Sequence, residues 1–82
     1  MHAEICDIDH TAVLAQFRVV LRESGAVPGK EIPAPGLQMM FVAIGSQEIV
    51  VLRDDLSVDI DGPLELVERI VSKLNGKRGQ GS

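Results

Sequence analysis

The stretch "LQMMFVAIGSQEIVVLRDDLSVDIDG", residues 37–62, narrows the choice of fold more than any other part of the chain. Apolar side chains recur there at alternate positions, and two short polar breaks divide them, the pattern of three successive strands. Gly45-Ser46 makes the first break a two-residue hairpin turn, since glycine accepts positive φ at no steric cost. That turn sets Val42 opposite Ile49 and Met40 opposite Val51. Asp54-Asp55 supplies the second reversal, which sets Val51 opposite Val58 and Ile49 opposite Ile60. One face then carries Met40, Val42, Ile44, Ile49, Val51, Leu56, Val58 and Ile60. A one-residue slip at the second turn would bring Asp59 and Asp61 onto that face, and burying two unpaired carboxylates costs far too much for it to persist.

Two amphipathic helices are available to cover this apolar face. In "HTAVLAQFRVVLRES" the residues Val13, Leu14, Phe17, Val20 and Leu21 form one stripe at helical period. Asp9 or Thr11 can cap its start, Gly25 stands just past its end with Pro28 beyond, and Arg18 and Arg22 occupy the wet side. In "GPLELVERIVSKLNG" the stripe is Val67, Ile70, Val71 and Leu74, with Pro63 at the first helical position and Asn75-Gly76 as the stop. Glu65, Arg69 and Lys73 make a polar ladder along it. The connector "GAVPGKEIPAPG" holds three of the four prolines and reads as an irregular surface loop, partly extended. The expected fold is α+β, a two-layer sandwich ordered helix, three-stranded antiparallel sheet, helix, to which residues 3–8 can add a short strand. Residues 1–76 form a single domain and residues 77–82 a disordered tail.

Size and charge exclude several classes of function. The chain has 82 residues, so its core is small and its stability modest without a disulfide, a metal or a partner chain. The single cysteine, Cys6, rules out an internal disulfide and suits a reducing compartment. No apolar run is long enough to span a bilayer, and "MHAEICDIDH" carries acids and none of the Lys or Arg of a signal peptide, so a cytoplasmic protein is expected. A net charge of −4 and the absence of Trp and Tyr argue against a nucleic-acid partner.

The densest set of reactive groups is "CDIDH" with His2 before it. His2, Cys6 and His10 recur every four residues beside Asp9, which on one helix face could hold zinc or pair a thiol with an imidazole. On a strand, residues four apart are separated by about 13 Å, too far to share an ion. Asp55, Ser57, Asp59 and Asp61 alternate like the early ligands of a calcium loop, but Ile60 stands where its glycine belongs and Leu66 where its bidentate acid belongs. "GAVPGKE" is one residue short of a phosphate-binding loop, and Glu31 replaces its Ser or Thr. The order α-β-β-β-α is shared with double-stranded-RNA-binding domains, yet their basic segment at the last helix is replaced by Gly62, Pro63, Leu64 and Glu65. No catalytic residues, metal ligands or cofactor follow from these patterns. A Cys/His-dependent site at the N-terminus and a nucleic-acid-binding domain stand as the two alternative classes.

The second face of the sheet is the feature that points to function. Met39 lies opposite Leu52 there and Phe41 opposite Val50, bordered by Ala43, Glu48, Ser57, Asp59 and Asp61. The strand 37–44 would also be a long apolar edge, which proteins seldom leave bare. Residues 3–8 could pair with that edge, but would leave the face uncovered. A second copy or a different protein would cover the face. The expected protein is therefore a non-catalytic protein–protein interaction module that self-associates as a homodimer through this face, with a different protein partner as the alternative. Its interface is Met39, Phe41, Val50 and Leu52, with the edge of strand 37–44 as a second candidate.

Overall fold

The computed structural model describes residues 1–80, and in it the meander is the middle of a wider sheet. The elements are β1 (His2–Asp7), α1 (Thr11–Glu23), β2 (Ala26–Ala34), β3 (Leu37–Ile44), β4 (Gln47–Asp54), β5 (Ser57–Asp61) and α2 (Leu64–Gln80). The five strands lie in the order β1-β5-β4-β3-β2, and every pair is antiparallel. The fold is thus α+β, with two helices and an N-terminal strand in the sheet, and its Cα radius of gyration is 12.1 Å.

The widening corrects three expectations. Residues 25–36 are not a loop: most of them form β2, which pairs along β3 and closes on it through Pro35-Gly36. Proline at the first central position of that turn and Gly36 at φ +73° at the second are what a type II turn needs. Pro28 and Pro33 are tolerated because β2 is an outer strand, where a missing N–H can face away from the ladder. A bulge at Gly29-Lys30 accommodates the extra residue. Secondly, the N-terminal segment does become a strand, but it lies beside β5 and not beside β3. Thirdly, β3 is flanked by β2 and β4, so the edge proposed as a second interface does not exist. The element order β-α-β-β-β-β-α likewise departs from the α-β-β-β-α order shared with double-stranded-RNA-binding domains.

The register of the first hairpin is the expected one, with Val42 opposite Ile49 and Met40 opposite Val51. At the second turn the pairing is displaced by two residues: Val51 faces Ile60 and Arg53 faces Val58. The reversal is therefore centred on Asp55-Leu56, and Leu56 is 78 % exposed instead of joining the core. A shift of two leaves every other side chain on its original face, so the apolar layer survives the error.

Val42, Ile44, Ile49, Val51, Val58 and Ile60 meet Val13, Phe17 and Val20 of α1 and Leu66, Val67, Ile70 and Leu74 of α2 in one core. Both helices consequently lie on the same side of the sheet. Ile5 and Cys6 join that core at a bulge in β1. α1 begins at His10 without a side-chain cap, contrary to the Asp9 or Thr11 cap expected, and ends through Ser24 and Gly25, whose φ is +78°. α2 starts one residue after Pro63 and continues past Asn75-Gly76 to Gln80. Residues 77–80 of the expected disordered tail are therefore in α2, while 81 and 82 lie outside the described residues. Lys77 Nζ reaches Glu23 Oε1 at 3.1 Å, joining the ends of the two helices.

Two glycines have opposite roles that stability measurements can separate. A Cβ on Gly62 would stand 2.8 Å from Cγ2 of the fully buried Ile49, whereas one on Gly76 meets nothing within 4 Å. Gly62→Ala is expected to lower stability by roughly 1–3 kcal/mol through overpacking. Gly76→Ala is expected to raise it by roughly 0.5–1 kcal/mol by restricting the unfolded chain within a helical segment. Urea unfolding midpoints of both variants check this, and an unchanged midpoint for Gly62→Ala would show that the junction into α2 is loosely packed.

Candidate functional site: the open face of the sheet

The helices occupy one side of the sheet, so side chains of the other parity form a face on which no element of the described chain packs. Phe41 opposite Val50 and Met39 opposite Leu52 stand at its centre, in the pairings the sequence predicts. All four are half-buried, because cross-strand neighbours shield one another even without a covering layer. β2 extends this strip: Ile32 lies opposite Met39, and Val27, 62 % exposed, lies opposite Ala43. These two were missed because the prolines around them read as a loop. The signal that could have found them is Pro35-Gly36, a turn dipeptide followed directly by a strand.

Acids surround the strip. β5 supplies Asp59 opposite Leu52 and Asp61 opposite Val50, and β1 supplies Glu4 opposite Asp59 and Asp7 opposite Ser57. Glu48 and Asp54 stand at the two ends of β4 on the same parity. Among the strands of the described residues the only lysine or arginine residues are Lys30 in β2 and Arg53, which lies on the helix side opposite Val58. His2 Nε2 is 2.9 Å from Asp59 Oδ2, while Asp59 Oδ1 is buried and has no hydrogen-bond partner among the described residues. That oxygen is closed off from solvent, and the carboxylates that the rim exposes are those of Glu4, Asp7, Glu48 and Asp61.

The N-terminal reactive groups are spread apart by the strand that holds them. His2 faces Asp59 on the open face, Cys6 is buried in the core, and His10 is exposed at the start of α1. Among the described residues no three His, Cys, Asp or Glu side chains are grouped closely enough to hold a metal ion. No described helix is long and apolar enough to cross a membrane.

A second feature, not foreseen from the sequence, lies on the helix side. A cleft of about 220 Å³ opens between α1 and the outer part of the sheet. Leu14, Phe17 and Leu21 of α1 face Met40, Val51 and Val58 across it, and Arg18, Glu31, Gln38 and Arg53 ring its mouth. It exists because the helix-side residues of β2 are Ala26, Pro28, Glu31 and Pro33, none of which supplies a bulky apolar side chain to fill the corner.

No protein-family model matches the chain, and comparison with curated proteins and with solved structures finds no match.

The turn at the rim of the open face makes a pH-dependent prediction. Ser57 N–H and Leu56 N–H each donate to Asp54 Oδ1 at 2.7 Å, and they hold its carboxyl below the ordinary value of 3.8. A depressed carboxyl stabilises the fold fully above its unfolded value and loses that contribution as pH falls through the folded one. Asp54→Asn keeps an acceptor but not the charge. The difference in urea midpoint between wild type and this variant is expected to be constant above about pH 5 and to shrink below it. A difference that stays flat down to acid pH would show that the charge contributes nothing to the turn.

Proposed function

We propose that the chain is a non-catalytic protein-interaction module whose open sheet face receives a partner surface that is apolar at its centre and basic at its flank. The observation that carries this reading is the strip of Met39, Phe41, Val50 and Leu52 bordered by carboxylates, of which Glu4, Asp7, Glu48 and Asp61 are exposed. Apolar burial would supply affinity, and the acids would orient the partner and speed its approach. We place this activity in the cytoplasm, because one buried cysteine suits a reducing compartment.

A second copy could also cover the face, as the sequence suggests. With a two-fold axis across the strands, acids would stack on acids. With the axis along β3 and β4, Asp59 and Asp61 would lie over the partner's β2, where each copy offers one lysine, Lys30. Six acids per copy on this face, namely Glu4, Asp7, Glu48, Asp54, Asp59 and Asp61, make a basic partner the better match.

A leucine–lysine helical peptide with its leucines on one side is a direct probe. It is expected to shift the amides of Met39, Phe41, Val50 and Leu52, to bind more weakly as salt rises, and to lose binding in Phe41→Asp, which should remain folded because Phe41 is outside the core. Shifts confined to the helices would refute the proposal. Light scattering over a tenfold dilution series adds the remaining outcome: a dimer that Phe41→Asp dissociates would assign the face to a second copy.

A further inference from the structure

We propose that the cleft between α1 and the sheet binds a small apolar molecule that ends in a carboxylate. The cleft is on the opposite side of the sheet from the interaction face, so this inference stands or falls separately. Its floor reaches the core, since Phe17, Val51 and Val58 are 4, 8 and 3 % exposed, while Leu14, Leu21 and Met40 form half-buried walls. An apolar lining with a few polar groups at the mouth is the usual construction of a small-ligand site.

The mouth decides which end of a ligand faces water. Arg18 follows Phe17 on α1, and Arg53 is the neighbour of both Gln38 and Val58 across the sheet. Both arginines are exposed, and among the described residues neither guanidinium is in an ion pair. Glu31 is the one acid on the rim; it lies on β2, a strand further out than Gln38, and Gln38 Nε2 donates to its Oε1. The rim therefore carries two cations against one engaged acid. A carboxylate matches a guanidinium fork better than a hydroxyl or an amine does.

Volume sets the size of the apolar part. At about 30 Å³ for each water-sized group, 220 Å³ accommodates roughly seven such groups. That is a chain or ring of six to eight carbons, well short of a membrane lipid's acyl chains.

Titration of isotope-labelled protein with octanoate, octan-1-ol and octylammonium, each kept below micelle formation, tests this. Octanoate is expected to shift Met40, Val51 and Val58 saturably and to bind at least about tenfold more tightly than octanol, with octylammonium weakest. Arg18→Gln and Arg53→Gln, both at exposed positions, should each weaken octanoate about tenfold and leave octanol unchanged. Three results would overturn the proposal: no saturable binding of octanoate, equal binding of octanoate and octanol, or shifts on Met39, Phe41, Val50 and Leu52 in place of the cleft.

Discussion

The structure depends on the burial of one face of its central strand. Ile49 and Val51 of β4 lie between Val42 and Met40 on one side and Ile60 on the other, and Ile49 and Ile60 are fully excluded from solvent. In so small a chain, burial of these residues together with Phe17, Val20, Leu66, Val67 and Ile70 is the main favourable contribution to folding. Each helix needs that layer as a surface to pack on, and the alternation that creates it also turns Met39, Phe41, Val50 and Leu52 outward. The core and the candidate interface are two consequences of one period-two pattern.

Breadth comes from a different constraint, the need to end a sheet without inviting further strands. β3 is long and apolar, and as an outer strand it would be exposed to edge pairing. β2 takes that place with Pro28, Pro33, Lys30 and a bulge, all of which discourage addition of another strand. β1, at the far side, is short, bulged and acidic. Both edges are thus poor templates for a further strand.

Charge is divided between the two layers. The open face collects Glu4, Asp7, Glu48, Asp54, Asp59 and Asp61, while most of the cations belong to the helices or the mouth of the cleft. This separation gives each surface its own chemistry. An apolar strip ringed by carboxylates suits a basic protein surface, and an apolar cleft with two guanidinium groups suits a small anion with an apolar body.

Sequence alone determined the local alternatives wherever a wrong choice would have been physically expensive. The meander, the Gly45-Ser46 turn, the parity of every strand residue from Met39 to Ile60, and the apolar stripes of α1 and α2 follow from period and from the cost of burying Asp59 and Asp61. The strip of Met39, Phe41, Val50 and Leu52 was legible for the same reason. Leu56 was misplaced because a two-residue shift of the turn preserves faces and so leaves little trace in the pattern. Only the tertiary structure decided that residues 26–34 are a strand, since proline is admissible there only at a sheet's edge and the sequence does not say where edges fall. It likewise decided that β1 joins β5, and that β2 leaves the corner beside α1 unfilled. Those outcomes depend on contacts between segments distant in sequence, which no local pattern of residues encodes.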